Sequence, residues 1–155
     1  MSSCETGFAA PDPEFETRVR SSFLRQGIMQ YLGAELAGVR PGYCEVRLPY
    51  KPELSQQHGY FHGGVIGTIA DSAGGYAAFT LMPADSGVLT VEYKLNLLAP
   101  GDGEQLIARG EVIKPGRSLM VSRADVMVRK HGRERLCATL LQTLMTMRGK
   151  PEVQG

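Results

Sequence analysis

The sequence has no tryptophan, three histidines and three cysteines in 155 residues. Cys4, Cys44 and Cys137 form an odd set without CxxC or metal-like spacing, which argues against a disulfide framework and for a reducing compartment. His58, His62 and His131 fall in no metal-like grouping, so no metal is expected. Charge of one sign is lacking as well. Seventeen basic against sixteen acidic residues leave a net charge of +1, so there is no electrostatic case for nucleic acid or an anionic membrane. The N-terminus, MSSCETGFAAPDPEFE, has no basic segment followed by an apolar run. No secretory signal is expected, and a cytoplasmic location follows.

What is present is an ordinary globular composition, 43% hydrophobic and 21% charged, enough for a single domain over 1–155 with a real core. The stretches 1–12 and 149–155 read as flexible tails. Asp12-Pro13-Glu14 reads as a helix start with Asp12 as N-cap. Phe15, Val19, Phe23 and Ile28 carry the helical spacing to Leu32, where Gly33 stops it. Arg18, Arg20 and Arg25 are expected on its solvated face. A hairpin follows: Ala34–Val39, the turn Arg40-Pro41-Gly42, and an alternating run Tyr43–Tyr50.

After a polar loop comes the most distinctive stretch, FHGGVIGTIADSAGGYAAFTLMP, residues 61–83. Asp71 is the one charged side chain between His62 and Asp85. The segment is long enough to span a bilayer, but Asp71 at its middle, adjacent glycines and the lack of basic flanks favour a buried core helix. A lone carboxylate in such a helix is costly unless it is paired or hydrogen-bonded, so Asp71 is the first functional candidate. Gly74 and Gly75 should cost about 1 kcal/mol each relative to alanine. A helix tolerates that where a sheet, a partner or a ligand approaches its backbone.

Four strand-like runs follow, 88–98, 105–114, 119–130 and 134–147, separated by turn residues. In the first, Val91, Tyr93, Leu95 and Leu97 alternate with Thr90, Glu92, Lys94 and Asn96. In the last, Leu136, Ala138, Leu140 and Leu144 share a face. Short connections imply an antiparallel meander. The fold class is therefore α+β: a central buried helix wrapped by an antiparallel sheet, with an extra N-terminal helix.

His62-Gly63-Gly64 opens the central helix, where free backbone N–H groups and the helix dipole suit an oxyanion or anion. Gly63 and Asp71 are separated by roughly 12 Å of helix at 1.5 Å per residue, too far to act on one carbonyl from the same chain. Either their roles are unrelated, or the site is composite and takes each from a different subunit. Ser72 is adjacent to Asp71 but points away, so no serine or cysteine nucleophile completes a triad with His62.

These residues resemble the hot-dog-fold acyl-CoA thioesterases of the PaaI type, over about Ala34 to Met147. The resemblance rests on the HGG at 62–64, Asp71 in HGG-x6-D spacing, VEYKLNLLAPG at 91–101 and KPGRS at 114–118. It implies a hot-dog homodimer, commonly a tetramer, that hydrolyses an acyl-CoA thioester without a cofactor, coenzyme A being part of the substrate. By this match Asp71 is the catalytic carboxylate, as base on water or as nucleophile, and the Gly63 N–H polarises the carbonyl. Thr90 falls where a hydroxyl positions water. Gln56 falls where relatives use asparagine, with Gln57 as its rival. His62 and Gly64 would border the substrate, His62 with its ring hydrogen-bonded inside the loop. Lys114, Gly116, Arg117 and Ser118 would contact coenzyme A. Tyr60, Phe61, Tyr76 and Met82 are either acyl-pocket or core residues. The alternative function is a non-catalytic acyl-CoA binding or sensing module.

Overall fold

The computed structural model describes residues 7–150 and Val153. The expected tails thus fall partly outside the described residues. In chain order the elements are α1 (Phe15–Leu24), α2 (Gly27–Leu32), β1 (Glu35–Arg40), β2 (Tyr43–Pro49), a 3-10 turn (Pro52–Leu54), α3 (Gly63–Phe79), β3 (Ser86–Leu97), β4 (Gln105–Lys114), β5 (Leu119–Lys130) and β6 (Arg133–Arg148). All strand pairs are antiparallel, and the six form one sheet in the order β1-β2-β4-β5-β6-β3. The sheet wraps α3, whose residues from Ile66 to Phe79 are buried except Thr68 and Asp71. This is a hot-dog fold.

Two glycines on facing elements set how closely helix and sheet approach. A β-carbon on Gly110 of β4 would stand 2.2 Å from the Ala73 carbonyl oxygen, and one on Gly74 would stand 2.1 Å from Gln142 Oε1. The expectation that glycine marks close approach is met at Gly74. Around α3 the core is filled by Val46, Leu48, Leu106, Ala108, Ala124 and Leu140, all fully buried.

Several local expectations are corrected. The N-terminal helix is two helices, broken at Arg25-Gln26, and Glu14 rather than Asp12 is the N-cap residue of α1. Asp12 still turns the chain: its carboxylate accepts from the Glu14 N–H at 2.9 Å and pairs with Arg18 at 2.9 Å. Arg18 does not belong to a solvated face. Its side chain is 12% exposed and lies 4.2 Å from the centre of the Phe79 ring. It donates to the carbonyls of Met82 and Pro83 at 2.8 and 2.9 Å, satisfying oxygens just past the end of α3. The meander holds for β4, β5 and β6 only. β3 sits at the far edge beside β6, because the segment from Leu98 to Glu104 runs under the start of α3, where the Phe61 N–H donates to the Gly101 carbonyl at 3.0 Å.

Of the four register shifts among the described strands, two break the alternation expected of β3 and β6. One lies between Thr90 and Glu92, so that Val91 has no cross-strand partner on β6. The other skips Cys137 and moves Leu136 off the face it was expected to share, leaving it 39% exposed.

Candidate active site

Asp71 sits midway along α3 and is half-buried. The bulge at Val91 brings Thr90 to it. In an unbroken strand Thr90 would lie opposite in face to Leu95 and Leu97, which meet α3 at Gly67 and Gly63. With one extra residue inserted, Thr90 shares their face and its hydroxyl donates to Asp71 Oδ1 at 2.7 Å. From β6, Gln142 reaches the same oxygen: Nε2 donates to Asp71 Oδ1 at 2.9 Å and lies 3.4 Å from the Asp71 carbonyl. Among the described residues no donor reaches Oδ2.

A cleft of about 270 Å³ opens beside this carboxylate, lined by Ser22, Gln26, Ser72, Tyr76, Thr90 and Leu144 among others. Its far wall is polar. The Tyr76 hydroxyl accepts from Gln26 Nε2 at 2.7 Å and lies 3.1 Å from Ser22 Oγ. Ser72 Oγ is turned toward Gln26 Oε1, at 3.4 Å.

Gly63 opens onto a different cleft. His62 is the N-cap of α3, its Nδ1 accepting from the Gly64 N–H at 2.9 Å, which fixes the ring inside the loop. The Gly63 N–H has no acceptor among the described residues, as the first turn of a helix leaves it. Gly63 lines a cleft of about 460 Å³ together with Gln56, Tyr60, Phe61, Leu97 and Pro100 among others. Gln56 lines this cleft and Gln57 does not. Gln56 Oε1 accepts from the His58 N–H, which leaves its amide donors free to point outward.

The 114–118 turn lines neither cleft. It is nevertheless close to the first one through the sheet: the Ser118 carbonyl accepts from the Thr146 N–H at 2.9 Å, and Thr146 pairs with Val88, a wall of the Asp71 cleft. Lys114, Arg117 and Ser118 are exposed, and Gly116 is held to glycine because a β-carbon there would stand 2.0 Å from the Leu119 carbonyl. Of the four aromatic and methionine candidates, Met82 is a core residue, Phe61 is buried in the core and also walls the Gly63 cleft, Tyr60 is at the surface beside Gly63, and Tyr76 joins the Asp71 cleft. Among the described residues no cluster of His, Cys, Asp or Glu could hold a metal ion. No helix there is long and apolar enough to cross a membrane.

Gln142, Gln26 and Ser22 were not among the sequence candidates. Gln142 did leave a signal: it is a long polar side chain in the middle of the face of β6 that Ala138, Leu140 and Leu144 share. Ser22 and Gln26 left none, because only the packing of α1 and α2 brings them to Tyr76.

An α3 helix enclosed by this antiparallel sheet, with a hydrogen-bonded carboxylate at its middle, defines a hot-dog protein. The model of the Thioesterase superfamily matches residues 58–134. A Saccharolobus solfataricus protein assigned by name to the esterases is 30% identical over 132 residues, 85% of each chain. The 1,4-dihydroxy-2-naphthoyl-CoA hydrolase of Listeria monocytogenes is 30% identical over 95 residues, 61% of this chain and 77% of that protein. The crystal structure of a thioesterase family protein from Silicibacter pomeroyi superposes with a TM-score of 0.86 at 47% identity, covering 87% of this chain and 99% of that one. The chain belongs to the thioesterase superfamily and is a hydrolase of that class.

Proposed function

We propose that the protein hydrolyses acyl-CoA thioesters as a PaaI-type enzyme, in sites completed by two copies of the chain. The observation that carries this is the division of labour along α3. Among the described residues no donor reaches Asp71 Oδ2 and no acceptor reaches the Gly63 N–H; Asp71 lines one cleft and Gly63 another, roughly 12 Å away along the helix. Each cleft holds half of what acyl transfer needs: a group to activate or deliver an oxygen nucleophile, and a donor for the carbonyl oxygen as it becomes an oxyanion.

The free edge of β3 supplies the means of joining the halves. Leu89, Val91, Tyr93 and Leu97 on this strand are each 46–56% exposed. An edge strand with so much apolar surface is prone to pair with another chain, and two-fold pairing of β3 with itself would be isologous. In the completed site, Gly63 of the partner subunit polarises the thioester carbonyl and Asp71 acts on water or attacks directly. Gln56 assists from the Gly63 side. The tetrahedral intermediate collapses with loss of the coenzyme A thiolate. Thr90, its proton committed to Oδ1, keeps lone pairs that can accept from the attacking water. The exposed Lys114 and Arg117, on a turn tied through Ser118 and Thr146 to the strand that walls the Asp71 cleft, suit the phosphates of coenzyme A.

The test is release of free thiol from a panel of acyl-CoA esters. Asp71→Ala is expected to lower turnover by at least about 100-fold, in the range of losing a general base, with folding and oligomeric state unchanged. Turnover equal to wild type would overturn the mechanism. Tight acyl-CoA binding without turnover in the wild type would favour the binding-module alternative.

A further inference from the structure

Gln142 and Ser122 face each other across β5 and β6, both fully buried, directly beneath Gly74 of α3. A buried amide on an otherwise apolar sheet face is costly unless its hydrogen bonds are made. Here one end is satisfied and the other is not. The Nε2 end donates to the Asp71 carboxylate, whereas Gln142 Oε1 and Ser122 Oγ have no partner among the described residues. The arrangement also removes the side chain of residue 74, since a β-carbon there would overlap Gln142 Oε1 and Ser122 Oγ at 2.1 and 2.8 Å. The fold therefore gives up two hydrogen-bonding opportunities and a helix-favouring side chain to bring one amide to one carboxylate oxygen.

We infer that Gln142 is a positioning residue for catalysis: with Thr90 it saturates Asp71 Oδ1, orients the carboxylate through the floor of the sheet, and leaves Oδ2 as the reacting oxygen. Neither donor contacts the cleft side of Oδ2, so the lone pairs left for a proton or for the thioester carbon belong to that atom. The carboxylate itself sets which way round the amide lies. Reversing the amide would bring Oε1 against the carboxylate.

The groups facing Asp71 make the inference readable in solution. Tyr76 from α3 lines its cleft, and Tyr93 lies opposite Gln142 on β3. Ser22 and Gln26 from the N-terminal helices, Thr90 and Val88 from β3, and Leu144 from β6 are neutral. Among the described residues of the same chain both titratable neighbours are phenols, so within one chain an acid limb in the rate profile reports the carboxylate.

This inference rests on Asp71 being the reacting group, and two measurements separate the two claims. The first needs no turnover. The side-chain amide signals of Gln142, assigned by their loss in Gln142→Met, are expected to shift as acid protonates the carboxylate of the wild-type protein, and to stay fixed in Asp71→Asn. Signals unmoved by acid in the wild type would overturn the tether whatever the enzyme does. The second is kinetic. Gln142→Met keeps the shape and loses the donor; it is expected to lower kcat about 10- to 100-fold with KM within about threefold. Removing a donor disfavours the charged carboxylate, so the acid limb moves to higher pH. Gln142→Asn, which keeps a buried amide but falls short of Asp71, should move the limb the same way even if the methionine variant folds poorly. Rates and limb unchanged in the asparagine variant would overturn the positioning role. An inactive wild type with a responsive amide would leave the tether standing and remove the thioesterase reading.

Discussion

A methyl group added at Gly74 would lie 2.1 Å from Gln142 Oε1, whereas at Gly75 its nearest neighbour is Leu144 Cδ2 at 3.6 Å. The two adjacent glycines thus answer to different demands. Gly74→Ala must displace a buried amide. It is expected to destabilise by about 1–3 kcal/mol through overpacking, less the roughly 1 kcal/mol gained in helix propensity, and thermal unfolding will show a net fall. Gly75→Ala meets only ordinary contact. It should raise Tm by about 2–4 °C while narrowing the cleft beside Asp71, so a rise in KM for the bulkier acyl groups accompanies the gain. At this scale the sequence was informative about what is odd and silent about why. A carboxylate among alanines and paired glycines in a helix are visible anomalies. For Asp71 and Gly74 the reason lies in Gln142, far downstream on β6, and no local pattern links them.

Among elements, the outer face of the sheet carries a second polar system, remote from α3. Burial acts to raise the Glu45 carboxyl, but hydrogen bonds from Arg47, Arg109 and Tyr43 outweigh it and hold the group below its ordinary value. Arg109 also chelates Glu134, with bonds of 2.8 and 3.2 Å, and lowers that carboxyl too. Both groups titrate lower in the folded than in the unfolded chain. Their stabilisation is therefore complete above the unfolded value near ~4.3 and is lost as pH falls through the folded one. Thermal stability should decline below about pH 4, and Glu45→Gln should have a lower Tm at pH 7 with a shallower acid decline. A parallel decline in the variant would show that this network does not carry the effect. Element identities were legible from periodicity: the hairpin, the central helix and all four later strands stand close to where alternation and turn residues put them. Strand order was not. Whether β3 lies beside β4 or beyond β6 depends on the path of the 98–104 loop under Phe61, and periodicity says nothing about paths.

For the whole molecule the decisive quantity is the separation of Gly63 from Asp71, which the helical rise alone supplies. If sites are shared between copies, two inactive proteins can repair one another. Gly63→Pro removes the N–H at the first helical position, where proline is tolerated; the preceding His62 is already extended, at φ −64° and ψ 138°, as proline requires. Mixed with Asp71→Ala and allowed to exchange, it should restore about a quarter of wild-type activity, since half of randomly formed dimers are hybrids with one intact site of two. No recovery after demonstrated exchange would place both groups' functions within single chains. This inference was open to the sequence because it needs only a count of residues. The two separate clefts, and the apolar edge on β3, needed coordinates.

The bulge at Val91 has an implication for how such a chain can change. Along a strand, the direction of every side chain is decided by whether an odd or an even number of residues separates it from a reference point. Asp71 is met by Thr90 and α3 is met by Leu95 and Leu97 only because one supernumerary residue resets that parity between them. Point substitution at Val91 leaves the parity alone and is a matter of local fit. Deleting Val91 or Glu92 alters no chemical group lining the cleft, yet it forces a choice. Either the hydroxyl turns away from the carboxylate, or the leucines turn away from the helix. Drift in residue identity is thus permitted here, and drift in length is not.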